Sequence, residues 1–162
     1  MAIVAVSLVL FIAGAMLPAL RFTGIAGSAL GQSETYVGFL CLLLGSVQLL
    51  GGLAAASIGD AVLGAGWLAN PFLAWALWSI WRGSRPRRIT LLSAAGVALA
   101  LLPLLAFQLP TYVIVCCETS YPTRLTAIGP GYIAWTLSAL SALVGGLVIG
   151  SGRRARAAGS SA

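Results

Sequence analysis

The stretch VGFLCLLLGSVQLLGGLAAASIG, residues 37–59, decides how the rest of the chain is threaded. As one helix it reaches about 35 Å at ~1.5 Å per residue, enough to cross the ~30 Å hydrocarbon core of a bilayer. Against a full crossing stand Gly45, Gly51 and Gly52, which weaken a helix, and Gln48, which is expensive in lipid. Read as a span, the stretch gives a five-helix bundle with the N-terminus outside. Read as a re-entrant or partial insertion, it leaves four full spans with the N-terminus inside. The expectation is an all-α integral membrane bundle of five transmembrane helices, with four full spans plus one re-entrant segment as its alternative.

Composition sets that class. The chain has 162 residues, 60% hydrophobic and 7% charged, and its mean hydropathy is +1.03. Soluble domains carry about 25% charged residues, so this chain lacks the polar side chains to cover a water-facing surface. One membrane domain over 1–162 follows, with spans at about 3–20, 37–59, 66–81, 89–109 and 131–150. Lipid offers backbone groups no partners and nothing alternates as a barrel strand does, so the spans read as helices. The first segment lacks a basic leader and outruns a signal-peptide core, so it reads as a retained span.

The net charge of +6 comes from nine basic residues, all arginine. Seven cluster beside apolar runs: Arg82, Arg85, Arg87 and Arg88 in one loop, Arg153, Arg154 and Arg156 in the tail. Arginines so placed hold their segments on the cytoplasmic side. The connection 110–130 is then extracytoplasmic and the tail 151–162 cytoplasmic. The partner implied is the lipid bilayer, with anionic headgroups near the basic segments. A nucleic-acid footprint needs a folded polar surface, so no nucleic acid is expected.

VIVCCETSYPTR, residues 113–124, gathers polar chemistry between two apolar runs. The overlapping run TYVIVCC, residues 111–117, rich in β-branched and aromatic residues, suits a short extended segment over the bundle's outer mouth. Adjacent Cys116 and Cys117 sit about 3.8 Å apart across a trans peptide, below the ~4.4–6.8 Å a disulfide prefers. A bridge from either leads to Cys41, the third cysteine. In the five-span threading Cys41 lies across the bilayer from them; in the four-span threading it lies within reach.

The chemistry that an enzyme needs is thin. Thiol relays to a quinone use two cysteine pairs, one a C-x-x-C; here there are three cysteines, no such motif and no His or Lys to lower a thiol pKa. Without histidine and with scattered acids no metal set converges by spacing, no general base serves the serines, and no lysine completes a phosphate loop. The expectation is a non-enzyme with no catalytic residues, no cofactor and no metal.

Intramembrane polar residues are the functional candidates because they are expensive in lipid. Gln48 reads as glue between helices. Asn70, before Pro71, reads as a helix cap or an interhelical hydrogen-bonding residue. Asp60, between two segments, reads as a solvated loop acid. Trp75, Trp78 and Trp81 form an aromatic face whose last member marks the inner interface, with Trp67 marking the outer one. Ala134, Ser138, Ala142, Gly146 and Gly150 form a small-residue stripe that admits a close helix, either a neighbour carrying Ala94 and Ala98 or another copy of the chain.

GFLCLLLG (38–45), GWLANPFLAW (66–75) and GPGYIAWTLSAL (129–140) resemble the recurring landmarks of a family of small bacterial polytopic membrane proteins without an assigned activity. The resemblance covers about thirty residues and does not extend to CCETSYPTR. It implies a bacterial inner (plasma) membrane setting and no substrate or cofactor. The function expected is an accessory, assembly or interaction subunit that binds another membrane protein or itself as a homo-oligomer. The alternative is a small oligomeric transporter or channel with Gln48, Asn70 and Ser138 along its path.

Overall fold

The computed structural model describes residues 2–24, 33–115 and 119–159. The chain is mostly helical and also carries a four-stranded sheet. In order it runs α1 (Ala2–Met16), β1 (Pro18–Gly24), β2 (Ser33–Val37), α2 (Gly38–Ala54), α3 (Ile58–Ala65), a 3-10 turn (Gly66–Leu68), α4 (Ala69–Trp81), α5 (Pro86–Leu101), a 3-10 segment (Leu102–Gln108), β3 (Thr111–Val115), β4 (Thr119–Ile128) and α6 (Pro130–Gly159). Among the described residues, three helices are long and apolar enough to cross a membrane: Ile58–Trp81, Pro86–Gln108 and Pro130–Gly152. Ala2–Met16 and Gly38–Ala54 are shorter apolar helices.

The sheet corrects the all-α expectation. Its order is β2-β1-β4-β3, antiparallel throughout, so one hairpin from each long connection joins into a single sheet. Leu20 pairs with Tyr36 on one side and Ile128 on the other, and Phe22 with Glu34 and Leu125. Ala19, Leu20, Phe22 and Leu125 pack with Ala106 and Tyr132 into a core beneath the sheet. Phe22 and Tyr36 meet edge to face at 5.6 Å between ring centroids, a preferred aromatic geometry. The first segment therefore ends at Met16, and Pro18 starts a strand.

Other boundaries move for local reasons. The stretch 66–81 starts earlier, at Ile58, because Ser57 caps the helix with its side chain. Residues 151–159 continue α6 instead of forming a loose tail. The turn between α4 and α5 closes with Ser84 N–H on the Ser79 carbonyl and Gly83 at φ +65°, the left-handed helix stop that glycine favours. Pro86 then opens α5 in its first turn.

α2 does not run the length of the bundle. Gly38 abuts Gly14 and Ala15 at the C-terminal end of α1, and Gly38 N–H donates to the Leu17 carbonyl, 2.9 Å. At its other end Gly52 lies against Asp60 and Ala61, and Gly59 lies against Pro110 at the start of β3. Both ends of α2 thus sit at the sheet end of the molecule, and α2 folds back on α3 as a helical hairpin. Ile3, Ile80, Ile89 and Thr90 meet Gly145 and Gly146 at the opposite end.

The small-residue stripe of α6 is used inside the chain. Ser138 and Ala142 are fully buried, Gly146 meets Ile89 and Thr90 of α5, and Ala134 is half-buried. Ala94 and Ala98 of α5 point outward, whereas Ile89, Ser93, Gly96 and Ala100 form its buried face. On the α1 side Ser7 and Ser138 exchange hydrogen bonds, each hydroxyl donating to the other's carbonyl at 2.8 Å. A Ser7→Ala, Ser138→Ala double-mutant cycle is expected to show a coupling of about 0.6 kcal/mol, the usual size in membranes, read as detergent unfolding midpoints.

Candidate functional site

A cavity of about 110 Å³ lies under the sheet, enclosed by the end of α1, by α2, by the α3–α4 junction and by the start of α6. Glycines make the enclosure possible. A Cβ on Gly38 would stand 1.9 Å from the Gly14 carbonyl oxygen, and one on Gly131 2.5 Å from the Leu17 oxygen. Gly45 lets α2 approach the Trp67 side chain, whose Cβ would lie 2.8 Å and whose ring 2.9 Å from an added Cβ.

Several polar groups around this cavity are hydrogen-bonded to protein neighbours. Trp67 Nε1 donates to the Leu42 carbonyl at 2.8 Å. Asn70 Nδ2 donates to the Trp67 carbonyl at 2.9 Å, while its Oδ1 accepts from Trp135 Nε1 at 2.9 Å. The Tyr132 hydroxyl donates to the Ala100 carbonyl. Phe11, Ala15, Leu20, Phe22, Leu44 and Leu63 supply apolar lining.

Asn70 is therefore an interhelical residue and not the cap: α4 continues from the 3-10 turn, with Leu68 in the flanking position and no side-chain cap. Trp67 is half-buried against α2. Trp75, Trp78 and Trp81 do face outward, with the Arg82 guanidinium 4.5 Å over Trp78 and Arg88 5.0 Å over Trp75, contacts that favour a cation on an aromatic face.

A second polar cluster fastens the hairpin to the sheet. Asp60, read from sequence as a solvated loop acid, is only 5% exposed. Its Oδ1 accepts from Gln48 Nε2 at 2.6 Å and from Tyr112 N–H at 2.7 Å, and its Oδ2 accepts from Ser57 Oγ at 2.5 Å. Gln48 also donates to the Tyr112 carbonyl at 3.0 Å. Burial of this acid follows from satisfying it with three donors from three segments. Gln48 is glue, as expected, but to a neighbouring helix and a strand at once.

Gln48 and Asn70 both line the cavity but belong to separate hydrogen-bonded groups, and Ser138 lies apart from it against Ser7. Cys41, on the cavity wall, has no disulfide partner among the described residues; Cys116 and Cys117, and with them the bridge to Cys41, lie outside those residues. Sequence reasoning missed Ser7, Trp135 and Tyr112 as partners. Trp135 stands in a quoted motif, yet nothing local signals its contact with Asn70.

The fold is mostly helical, with three helices among the described residues long and apolar enough to cross a membrane and a four-stranded sheet joined to one end of its helices. No protein-family profile, no curated protein and no solved structure matches the chain.

Proposed function

We propose that the chain is a multi-pass membrane protein without catalytic chemistry, acting as an accessory, assembly or interaction subunit that binds another membrane protein or a second copy of itself. The observation that carries this reading is the outer face of α2. Phe39, Leu43, Val47, Leu50 and Leu53 are all exposed and recur every three or four residues, a continuous ridge of the kind that docks in a groove. Gln48, Asn70 and Ser138, the polar side chains weighed for a path, are held in internal hydrogen bonds.

Four spans with α2 as a partial insertion is the threading we favour, since both ends of α2 meet residues at the sheet end. Arg82, Arg85, Arg87 and Arg88 then mark the cytoplasmic side, with both termini there and the sheet outside. The resemblance to small bacterial polytopic proteins supports a plasma-membrane location. The topology is checked by impermeant maleimide labelling of Thr35→Cys and Ser84→Cys in a cysteine-free background. Thr35→Cys is expected to label in intact cells and Ser84→Cys only after permeabilisation; five spans predict that Thr35→Cys also needs permeabilisation.

A photoreactive residue at Leu50, 67% exposed, tests the role in native membranes. One discrete protein adduct is expected, absent when the same probe replaces outward-facing Ala98. No adduct at Leu50, together with solute flux above background in proteoliposomes, overturns the interaction reading in favour of a transporter or channel.

A further inference from the structure

We propose that the cavity under the sheet holds a hydrocarbon segment of a bilayer phospholipid, drawn in from the leaflet on the sheet side. The inference rests on the membrane setting proposed above and not on the interaction role. Three observations converge on it.

The first is the lining. The indole N–H groups of Trp67 and Trp135, both polar atoms of the Asn70 amide and the Gln48 Nε2 are already hydrogen-bonded to protein groups, so the pocket offers a polar ligand little to hold. Apolar cavities of this kind stay dry and accept hydrocarbon. The second is the mouth. Leu40 and Leu44 line the cavity and are also 39% and 37% exposed, so the cavity reaches the surface at the flank of α2. On neighbouring α1, Ile12 and Met16 are exposed and apolar as well, a surface that hydrocarbon wets and water does not. The third is size. About 110 Å³ is somewhat below the ~150 Å³ engineered cavity that takes benzene. A short stretch of acyl chain fits; a whole lipid or a sterol does not.

Trp67 and Trp135 line the cavity and serve as reporters once Trp75, Trp78 and Trp81 are replaced by Phe. This two-tryptophan protein is placed in nanodiscs of phosphatidylcholine with or without brominated acyl chains, and compared with the same protein carrying Ala15→Phe, which fills the cavity. Bromine is expected to quench the parent at least twofold more than the filled variant. Equal quenching in the two, with both folded by near-ultraviolet circular dichroism, overturns the proposal.

If Ala15→Phe does not fold, Cys41 decides, in a Cys116→Ser, Cys117→Ser background. Adding phosphatidylcholine to delipidated protein in micelles is expected to slow maleimide reaction at Cys41 at least fivefold. Unchanged rates overturn the proposal, as does protection by a water-soluble medium-chain fatty acid but not by phospholipid. Failure of the membrane setting itself shows separately, as protein that stays dispersed without detergent.

Discussion

Asp60→Ala is expected to destabilise the protein by about 3 kcal/mol and to open the α2–α3 turn to proteases. Removing the carboxylate strands the Tyr112 N–H and one of the two Gln48 amide hydrogens, the other still donating to the Tyr112 carbonyl, and a buried donor without a partner costs ~1–3 kcal/mol. It also removes the acceptor of the Ser57 hydroxyl. Asp60→Asn separates hydrogen bonding from charge. Its amide oxygen can still accept from Tyr112 and Gln48, and its NH2 can face Ser57 Oγ as a donor, so a loss of about 1 kcal/mol is expected. Thermal unfolding in detergent gives the stabilities, and cleavage rates at Ala55–Ser57 report the hairpin. Equal, small losses for Ala and Asn would sink the view that this acid fastens the hairpin to β3.

Gly38→Ala is expected to cost about 3 kcal/mol, and Gly51→Ala on the same helix is expected to be neutral or to stabilise by up to about 1 kcal/mol. The Gly38 Cβ would meet backbone, the Gly14 carbonyl at 1.9 Å, and backbone cannot swing aside as a long side chain can. Relief requires α1 and α2 to separate, a severe form of overpacking. Around Gly51 nothing lies within 4 Å, so only the better helix propensity of alanine remains. Both are read as detergent unfolding midpoints. The contrast matters because helix propensity alone predicts the same gain at both positions.

Much of the helical layout is legible because apolar runs, Pro86, Pro130 and clustered arginines are local signals. The stretch 37–59 shows its ambiguity in its own residues: of the glycines that argued against a crossing, Gly45 meets Trp67 and Gly52 meets α3, while Gly51 meets nothing. The sheet is much less legible. PALRFTG and SETYV are short and weakly alternating, and β1 finds its inner partner about a hundred residues away, as in the Thr23–Thr126 pair. No local period encodes such pairing. Asp60 fails for the same reason, since its burial depends on Tyr112, 52 residues on. Ala94 and Ala98 show that small residues on a helix do not name the contact face: Ser93, Gly96 and Ala100 offer an equal stripe one step round, and the neighbours chose that one. In the candidate site, Asn70 and Gln48 were visible as polar outliers, whereas the cavity arises from where helices meet and has no sequence signature.

The closure of the chain on itself has a consequence for biogenesis. The first helix packs along the last, with Ser7 bonded to Ser138 across 131 positions, and the central strands join the first connection to the final one. At synthesis rates of ~5–20 residues per second, α1 waits about 7–26 s after emerging before its partner exists. During that interval its lone serine and the edge of β1 have no native neighbours. A nascent chain stalled or truncated before β4 should be cleared quickly by membrane quality-control proteases, while one that has just completed α6 should become resistant in a single step.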